Sequence, residues 1–101
     1  MGPVKASSES MTHYAAYQGN KEVNGIIHIH HAKLWNKHLN VLPTTNPKTQ
    51  YGTVAMAQEV KAFSKEGHNI IIMAGHSDGI LFLGKSLETA GAAYLELLKN
   101  I

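Results

Sequence analysis

The sequence contains no cysteine, which excludes disulfide bonds, thiolate metal ligands and a cysteine nucleophile. Charged residues make up only 16% of its 101 residues, and the net charge is +2 at pH 7. The lysines are scattered, and no basic stripe is interleaved with aromatic residues, so nucleic acid is a poor candidate partner. The longest apolar run, Ile70 to Ala74, is far too short to cross a membrane, and no membrane association is expected.

The composition is that of an ordinary globular protein, with 44% hydrophobic residues. A length of 101 residues suffices for one compact domain, and we predict a single domain over 1–101. The first ten residues, "MGPVKASSES", have no apolar segment typical of a signal peptide. Together with the absence of cysteine, this favours a cytoplasmic location.

The order of apolar and turn-forming residues predicts a mixed fold. A first helix follows the serines near residue 10, a strand spans Gly25–His30, and helices span Ala32–Leu39 and Thr53–Lys65. A β-hairpin is predicted over Ile70–Gly84, with "HSDG" as its turn, and Ser86 caps a last helix. This α-β-α-α-β-β-α order predicts an α/β or α+β domain with some antiparallel strand pairing.

The stretch "GIIHIHH", from Gly25 to His31, places three histidines in a strand otherwise suited to burial. Residues two apart on a strand share a face, with Cα atoms about 6.5 Å apart. His28 and His30 have this relation, whereas His31 points the other way or begins the next element. His76, in the predicted turn, is a third candidate. Three histidines with one open position are typical of a catalytic zinc site.

An ordinary structural interpretation stays open at this point, because a His-x-His pair on a strand is weak evidence by itself. Such histidines are often no more than hydrogen-bonded core or surface groups. His13, His38 and His68 lack the spacing and are expected to be solvated. A glutamate at a helix start, as at Glu9, commonly serves only to complement the helix dipole. Composition and spacing alone therefore indicate no more than a possible metal site.

Four stretches together resemble the class II aldolase/adducin family. They are "KASSES" at 5–10, "GIIHIHH" at 25–31, "YGTVAMAQEV" at 51–60 and "IIIMAGHSDGILFLGKSLETA" at 70–90. The family has a Ser-Ser-Glu before a helix and then a strand ending in His-x-His. A Tyr/Phe-Gly-Thr helix start and a hairpin carrying a third histidine follow. Order and approximate spacing match over nearly the whole chain.

The resemblance implies a three-layer α/β/α fold around a mainly antiparallel sheet, and it implies roles for individual residues. His28, His30 and His76 would bind Zn²⁺ or another divalent metal, and Glu9 would be the catalytic acid/base. Ser7 and Ser8 would help to hold a substrate phosphate, as free N–H groups at a helix N-terminus also do.

For two further residues, Asp78 and Tyr51, two roles stay open. Asp78 either hydrogen-bonds a ligating imidazole or shapes the turn, with the turn favoured. Tyr51 either faces the substrate or packs in the core.

The sequence also departs from the family pattern. Family members carry a sizeable segment before the Ser-Ser-Glu, but only "MGPVKA" precedes it here. We therefore expect the C-terminal portion of the family domain, truncated at its N-terminus. Uncovered sheet edges would favour a homo-oligomer, with a tetramer implied by the resemblance, or a companion chain that supplies the missing segment. The stretch between His31 and Tyr51 is also short for the family.

The resulting hypothesis is a zinc-dependent lyase that cleaves a sugar phosphate by a retro-aldol reaction through a metal-stabilised enediolate. A sugar-phosphate epimerase or dehydratase of the same family is an alternative within the enzymes. The alternative outside them is a non-catalytic, split or truncated adducin-like oligomerisation domain.

Overall fold

The computed structural model describes residues 12–50 and 53–99. Helix α1 includes residues 12–19. The other elements are β1 (Gly25–His30), α2 (Ala32–His38), α3 (Val54–Lys65), β2 (Ile70–Ile72), β3 (Gly79–Gly84) and α4 (Leu87–Leu98). The predicted element order is therefore confirmed. Within the described ranges, no helix is long and apolar enough to span a membrane.

The three strands form an antiparallel sheet in the order β1-β3-β2, so β3 is the central strand. Gly79 lies opposite His30, and Leu81 lies opposite both His28 and Ile71. The chain between α2 and α3 adds a parallel bridge between Thr44 and Ile72. This stretch contains Pro43 and Pro47, and prolines are typical of loops, so the sequence does not indicate the strand-like contact.

Successive residues of β3 point to opposite faces of the sheet and divide the core into two layers. Leu81 and Leu83 join the cluster on one face, whose helical members are Ala16 of α1 and Met56 and Val60 of α3. The cluster on the other face contains Ile80 and Phe82 of β3, with Leu34 of α2 and Ala90 of α4. Helices thus cover both faces, which confirms the three-layer α/β/α architecture.

Side-chain caps fix where three helices begin. The hydroxyls of Thr53 and Ser86 accept hydrogen bonds from the backbone N–H groups of Met56 and Thr89, at the starts of α3 and α4. At the start of α2 the cap is His31, whose Nδ1 accepts from the Leu34 N–H at 3.2 Å. His31 therefore begins the next element, one of the two outcomes expected from its position after β1.

Two details differ from the sequence predictions. Strand β2 ends at Ile72, so the connection to β3 is a loop over residues 73–78 rather than a four-residue turn. The early end of β2 follows from hydrogen bonds that close the loop on itself around residue 76. His68 is exposed as expected, but His13 and His38 are half-buried, because each lies on a helix that packs against the sheet.

Candidate metal centre

Strand β1 presents His28 and His30 on the same face of the sheet. Both are an even number of residues from Ile26, which is buried in the layer covered by α1 and α3. The two imidazole centroids lie 5.0 Å apart, with an angle of 35° between the ring planes. His28 is half-buried and His30 is exposed, so the pair lies where this face of the sheet opens to solvent.

The loop over residues 73–78, hereafter the His76 loop, brings the third imidazole to the pair. The His76 centroid lies 5.3 Å from that of His28 and 4.8 Å from that of His30. One nitrogen from each ring can be chosen so that all three lie within 4.8 Å of one another. The candidate ligands from β1 and from the His76 loop thus meet at one point, although His30 and His76 are 46 positions apart in the sequence.

A glycine makes room for the His76 ring. Gly79 lies directly opposite His30 in the sheet, and a Cβ at this position would lie 2.6 Å from Cδ2 of His76. No side chain larger than hydrogen fits there without displacing the ring. In the sequence Gly79 is recognisable only as the glycine that ends the "HSDG" turn, and nothing there indicates that it makes room for His76.

Backbone hydrogen bonds hold His76 on both sides. Its N–H donates to the Met73 carbonyl at 3.1 Å, and its own carbonyl accepts from the Gly79 N–H at 2.9 Å. The Met73 N–H in turn donates to the Gly79 carbonyl at 3.0 Å. The backbone that carries the third histidine is therefore fixed in place relative to β3.

One ring nitrogen of His30 contacts the backbone of the His76 loop. His30 Nδ1 lies 3.2 Å from the carbonyl oxygen of Ser77. A carbonyl oxygen only accepts hydrogen bonds, so Nδ1 carries the proton and Nε2 has the lone pair available to an ion. Outer contacts of this kind orient metal-ligating histidines and fix their tautomers.

The electrostatic environment favours the neutral imidazole that binds metals. Burial lowers the pKa of His76 below its ordinary value, and the neighbouring His30 lowers this pKa further. The Nε2 atoms of His28 and His76 are both buried. A neutral imidazole is the form that coordinates a metal ion, so the lowered pKa of His76 suits metal coordination.

The donor set fits a divalent transition metal. A tetrahedral zinc ion with bonds of about 2.1 Å holds its ligand nitrogens about 3.4 Å apart. The three candidate nitrogens lie within 4.8 Å of one another, so each pair is at most about 1.4 Å farther apart than that spacing. Three imidazoles leave a fourth position open, as in catalytic zinc sites, and imidazole also suits iron, nickel and copper.

The other predicted site residues divide into two groups. Asp78 lies in the His76 loop with a φ of 66°, and its carbonyl accepts from the His31 N–H at 3.0 Å, which agrees with the turn-shaping alternative. Ser7, Ser8, Glu9 and Tyr51 lie outside the residues that the structure describes. The structure thus brings together the three predicted metal ligands. The predicted roles of Glu9 as acid/base and of Ser7 and Ser8 in phosphate binding stay predictions.

Comparison with protein families agrees with the resemblance derived from the sequence. A family model described as "Class II Aldolase and Adducin N-terminal domain" matches residues 1–100. No curated protein and no solved structure matches the chain. The match covers all four stretches on which the resemblance depends, including the segment with Glu9 and the one with Tyr51.

Proposed function

Because the chain belongs to the class II aldolase and adducin family, we propose that it is a metal-dependent lyase that cleaves a sugar phosphate by a retro-aldol reaction. The observation that carries this proposal is the convergence of His28, His30 and His76, whose candidate ligand nitrogens lie within 4.8 Å of one another. A domain that served only as a scaffold would have no need for three imidazoles clustered at one point.

In this proposal the three histidines hold one divalent ion, with zinc favoured. The ion, when bound, polarises the substrate carbonyl and stabilises the negative charge of the enediolate that forms when the carbon–carbon bond breaks. The open side of the cluster, at the exposed His30, gives the substrate access. The Ser77 carbonyl keeps the His30 ring in the orientation that ligation requires.

Glu9 is proposed to move the proton. Its carboxylate takes the proton from the substrate hydroxyl on the carbon that becomes the aldehyde, the carbon–carbon bond breaks, and the electron pair passes to the carbonyl. The protonated Glu9 then returns the proton to the enediolate carbon, which restores the carboxylate. The position of Glu9 in the sequence supports this role, since it lies three residues before Thr12, the first described residue of α1. Helix α1 packs on the face of the sheet that carries His28 and His30.

Ser7 and Ser8 are proposed to bind the substrate phosphate. Both immediately precede Glu9, so a substrate whose reacting carbons lie at Glu9 has its phosphate within reach of the two hydroxyls. Tyr51 is proposed either to face the substrate or to pack in the core. Asp78 is proposed to shape the His76 loop.

The experiment that tests this function is product analysis of purified, zinc-loaded protein with a panel of ketose phosphates. Release of an aldehyde and a triose phosphate supports the aldolase. Epimerised substrate without aldehyde identifies an epimerase, and loss of water identifies a dehydratase, and either result overturns the retro-aldol proposal. Glu9→Gln is expected to keep the metal and lose turnover. His31→Asn, which keeps a capping acceptor outside the cluster, is the matched control and is expected to keep both.

A second candidate, a non-catalytic oligomerisation domain, is favoured by one observation. Leu87 and Leu95 on α4 are 63% and 59% exposed, and we propose them as contact residues for a second chain. In either function we propose a homo-oligomer, with a tetramer favoured, or a complex with a companion chain. Light scattering tests this association, and a folded oligomer that binds no metal and turns over no substrate supports the non-catalytic function.

A further inference from the structure

One peptide group of the His76 loop is held from both sides by side chains of other segments. The Met73 carbonyl accepts a hydrogen bond from the indole Nε1–H of Trp35 at 3.1 Å. The Ala74 N–H, at the other end of the same peptide group, donates to the Thr45 hydroxyl oxygen at 3.1 Å. Trp35 belongs to α2, and Thr45 follows the residue that bridges to β2.

This peptide group connects directly to the third histidine. The Met73 carbonyl that accepts from Trp35 also accepts from the His76 N–H at 3.1 Å. A rotation of the Met73–Ala74 peptide plane would therefore move the His76 backbone as well. The two contacts restrain that rotation from opposite ends, since one side chain holds the oxygen and the other holds the nitrogen.

Both anchoring side chains are themselves fixed. Thr45 is 1% exposed, and its backbone N–H donates to the Ile72 carbonyl at 2.9 Å. Trp35 is half-buried and packs against the cluster that contains Leu34, Ile80 and Phe82. A hydrogen bond from a restrained side chain transmits position, because few alternative rotamers are available to it.

We propose that Trp35 and Thr45 are positioning residues that set the place of His76 in the metal centre. This inference rests on the proposed function, in which His76 is a metal ligand. Without these two contacts the loop retains its internal hydrogen bonds, the anchor from the His31 N–H to the Asp78 carbonyl, and the contact between His30 Nδ1 and the Ser77 carbonyl. None of these contacts restrains the Met73–Ala74 peptide group from the side of α2 and Thr45. The loop then samples several orientations, and His76 reaches the ion in only a fraction of them.

Four variants separate positioning from general stability. Trp35→Phe keeps the apolar ring and removes the N–H donor, and Thr45→Val removes the hydroxyl acceptor. Thr45→Ser keeps that acceptor and is the conservative rescue. Ser64→Ala is the matched control, because it removes one buried hydrogen bond to a backbone carbonyl, that of Ala16, between α1 and α3.

The first readout is amide hydrogen exchange in the metal-free protein. We expect exchange at His76 N–H and Gly79 N–H to rise about 2- to 10-fold relative to β3 in Trp35→Phe and Thr45→Val, the change expected from one lost hydrogen bond. Thr45→Ser and Ser64→Ala are expected to leave this ratio unchanged. A uniform rise over loop and strand would mean a general loss of stability and would overturn the inference.

The second readout is the affinity for Zn²⁺, measured by competition with a chromogenic chelator. Trp35→Phe and Thr45→Val are expected to weaken it about 2- to 10-fold, with native values in Thr45→Ser and Ser64→Ala. Native Zn²⁺ affinity in both Trp35→Phe and Thr45→Val overturns the positioning role and leaves the proposed function intact. If the native protein itself binds no Zn²⁺, the proposed metal site and this inference both fail.

Discussion

His30 and Ser77 join the two segments that form the proposed metal centre. Nδ1 of His30, at the end of β1, lies 3.2 Å from the Ser77 carbonyl oxygen in the His76 loop. Ser77 directly follows His76 in the chain, so the contact that orients one candidate ligand also ties down the backbone beside another. The strand and the loop are thus linked at the site even before an ion is considered.

This contact predicts the tautomer of His30. We expect Nδ1 to carry the proton and Nε2 to be bare or metal-bound, since the Ser77 carbonyl accepts only from a protonated Nδ1. Long-range ¹H–¹⁵N correlation spectra of labelled protein distinguish the two nitrogens. A His30 ring protonated on Nε2 in the neutral state would contradict the proposed ligand geometry.

Gly79→Ala is expected to weaken metal binding by displacing the His76 ring. The new Cβ would lie 2.6 Å from Cδ2 of His76, so the ring must shift, at a cost of about 1–3 kcal/mol in the free energy of unfolding. We expect Zn²⁺ affinity to fall at least about tenfold, as when a contact that orients a ligand is lost. Chelator competition and urea unfolding measure the two effects.

The matched control for this variant is Gly91→Ala, on α4. Its new Cβ would lie 3.6 Å from Cδ1 of Ile27, which is an ordinary contact distance. Alanine within a helix stabilises by about 0.5–1 kcal/mol relative to glycine. We therefore expect higher stability and native Zn²⁺ affinity. Equal Zn²⁺ affinity in the two glycine variants would show that Gly79 has no special relation to His76.

His38, outside the site, predicts a pH dependence of stability. Burial lowers its pKa, and the neighbouring Lys37 lowers it further. Since the pKa in the folded state is below the unfolded value of about 6.5, the stability contributed by the neutral form is present above pH 6.5 and is lost as the pH falls below it. His38→Gln is expected to reduce the loss of stability between about pH 7.5 and 5.5.

Urea unfolding of native protein and variant at the two pH values measures this effect as a difference. Lys37→Gln serves as an intermediate case, because it removes only the smaller of the two causes. We expect it to reduce the loss of stability in the same direction but by less. Parallel pH profiles in the native protein and His38→Gln would contradict the assignment.

Zinc is expected to stabilise the folded chain by mass action. An ion that binds only the folded state at 100 times its dissociation constant adds about 2.7 kcal/mol to the free energy of unfolding. We expect this gain in the native protein and its near-complete loss in His76→Ala, which retains two of the three imidazoles. Thermal unfolding with and without Zn²⁺ measures it, and an equal gain in both proteins would place the ion elsewhere.

The His28 and His30 pair could be predicted because the two residues are close together in the sequence. The two-residue repeat of a strand puts His28 and His30 on one face without any tertiary information. The apolar character of β3 and the Ser86 cap likewise allowed the hairpin and the last helix to be predicted. These elements depend on residues close together in sequence, where periodicity and capping apply directly.

The contacts that hold the site together could not be predicted in this way. The bond from Trp35 to Met73 spans 38 residues and that from Thr45 to Ala74 spans 29. Thr45 is in a proline-containing stretch that local patterns assign to a loop, and Trp35 has the spacing of an ordinary core residue. The role of Gly79 depends on where the His76 ring lies across the strand, which sequence separation does not reveal.

The central claim is that His28, His30 and His76 form a metal centre in a class II aldolase/adducin domain. Elemental analysis of protein purified after exposure to Zn²⁺ and removal of excess ion tests it most directly. We predict about one zinc per chain in the native protein and in His31→Asn, and almost none in the His28→Ala/His30→Ala double variant. A native chain without bound metal, or full retention of zinc in the double variant, would contradict the claim.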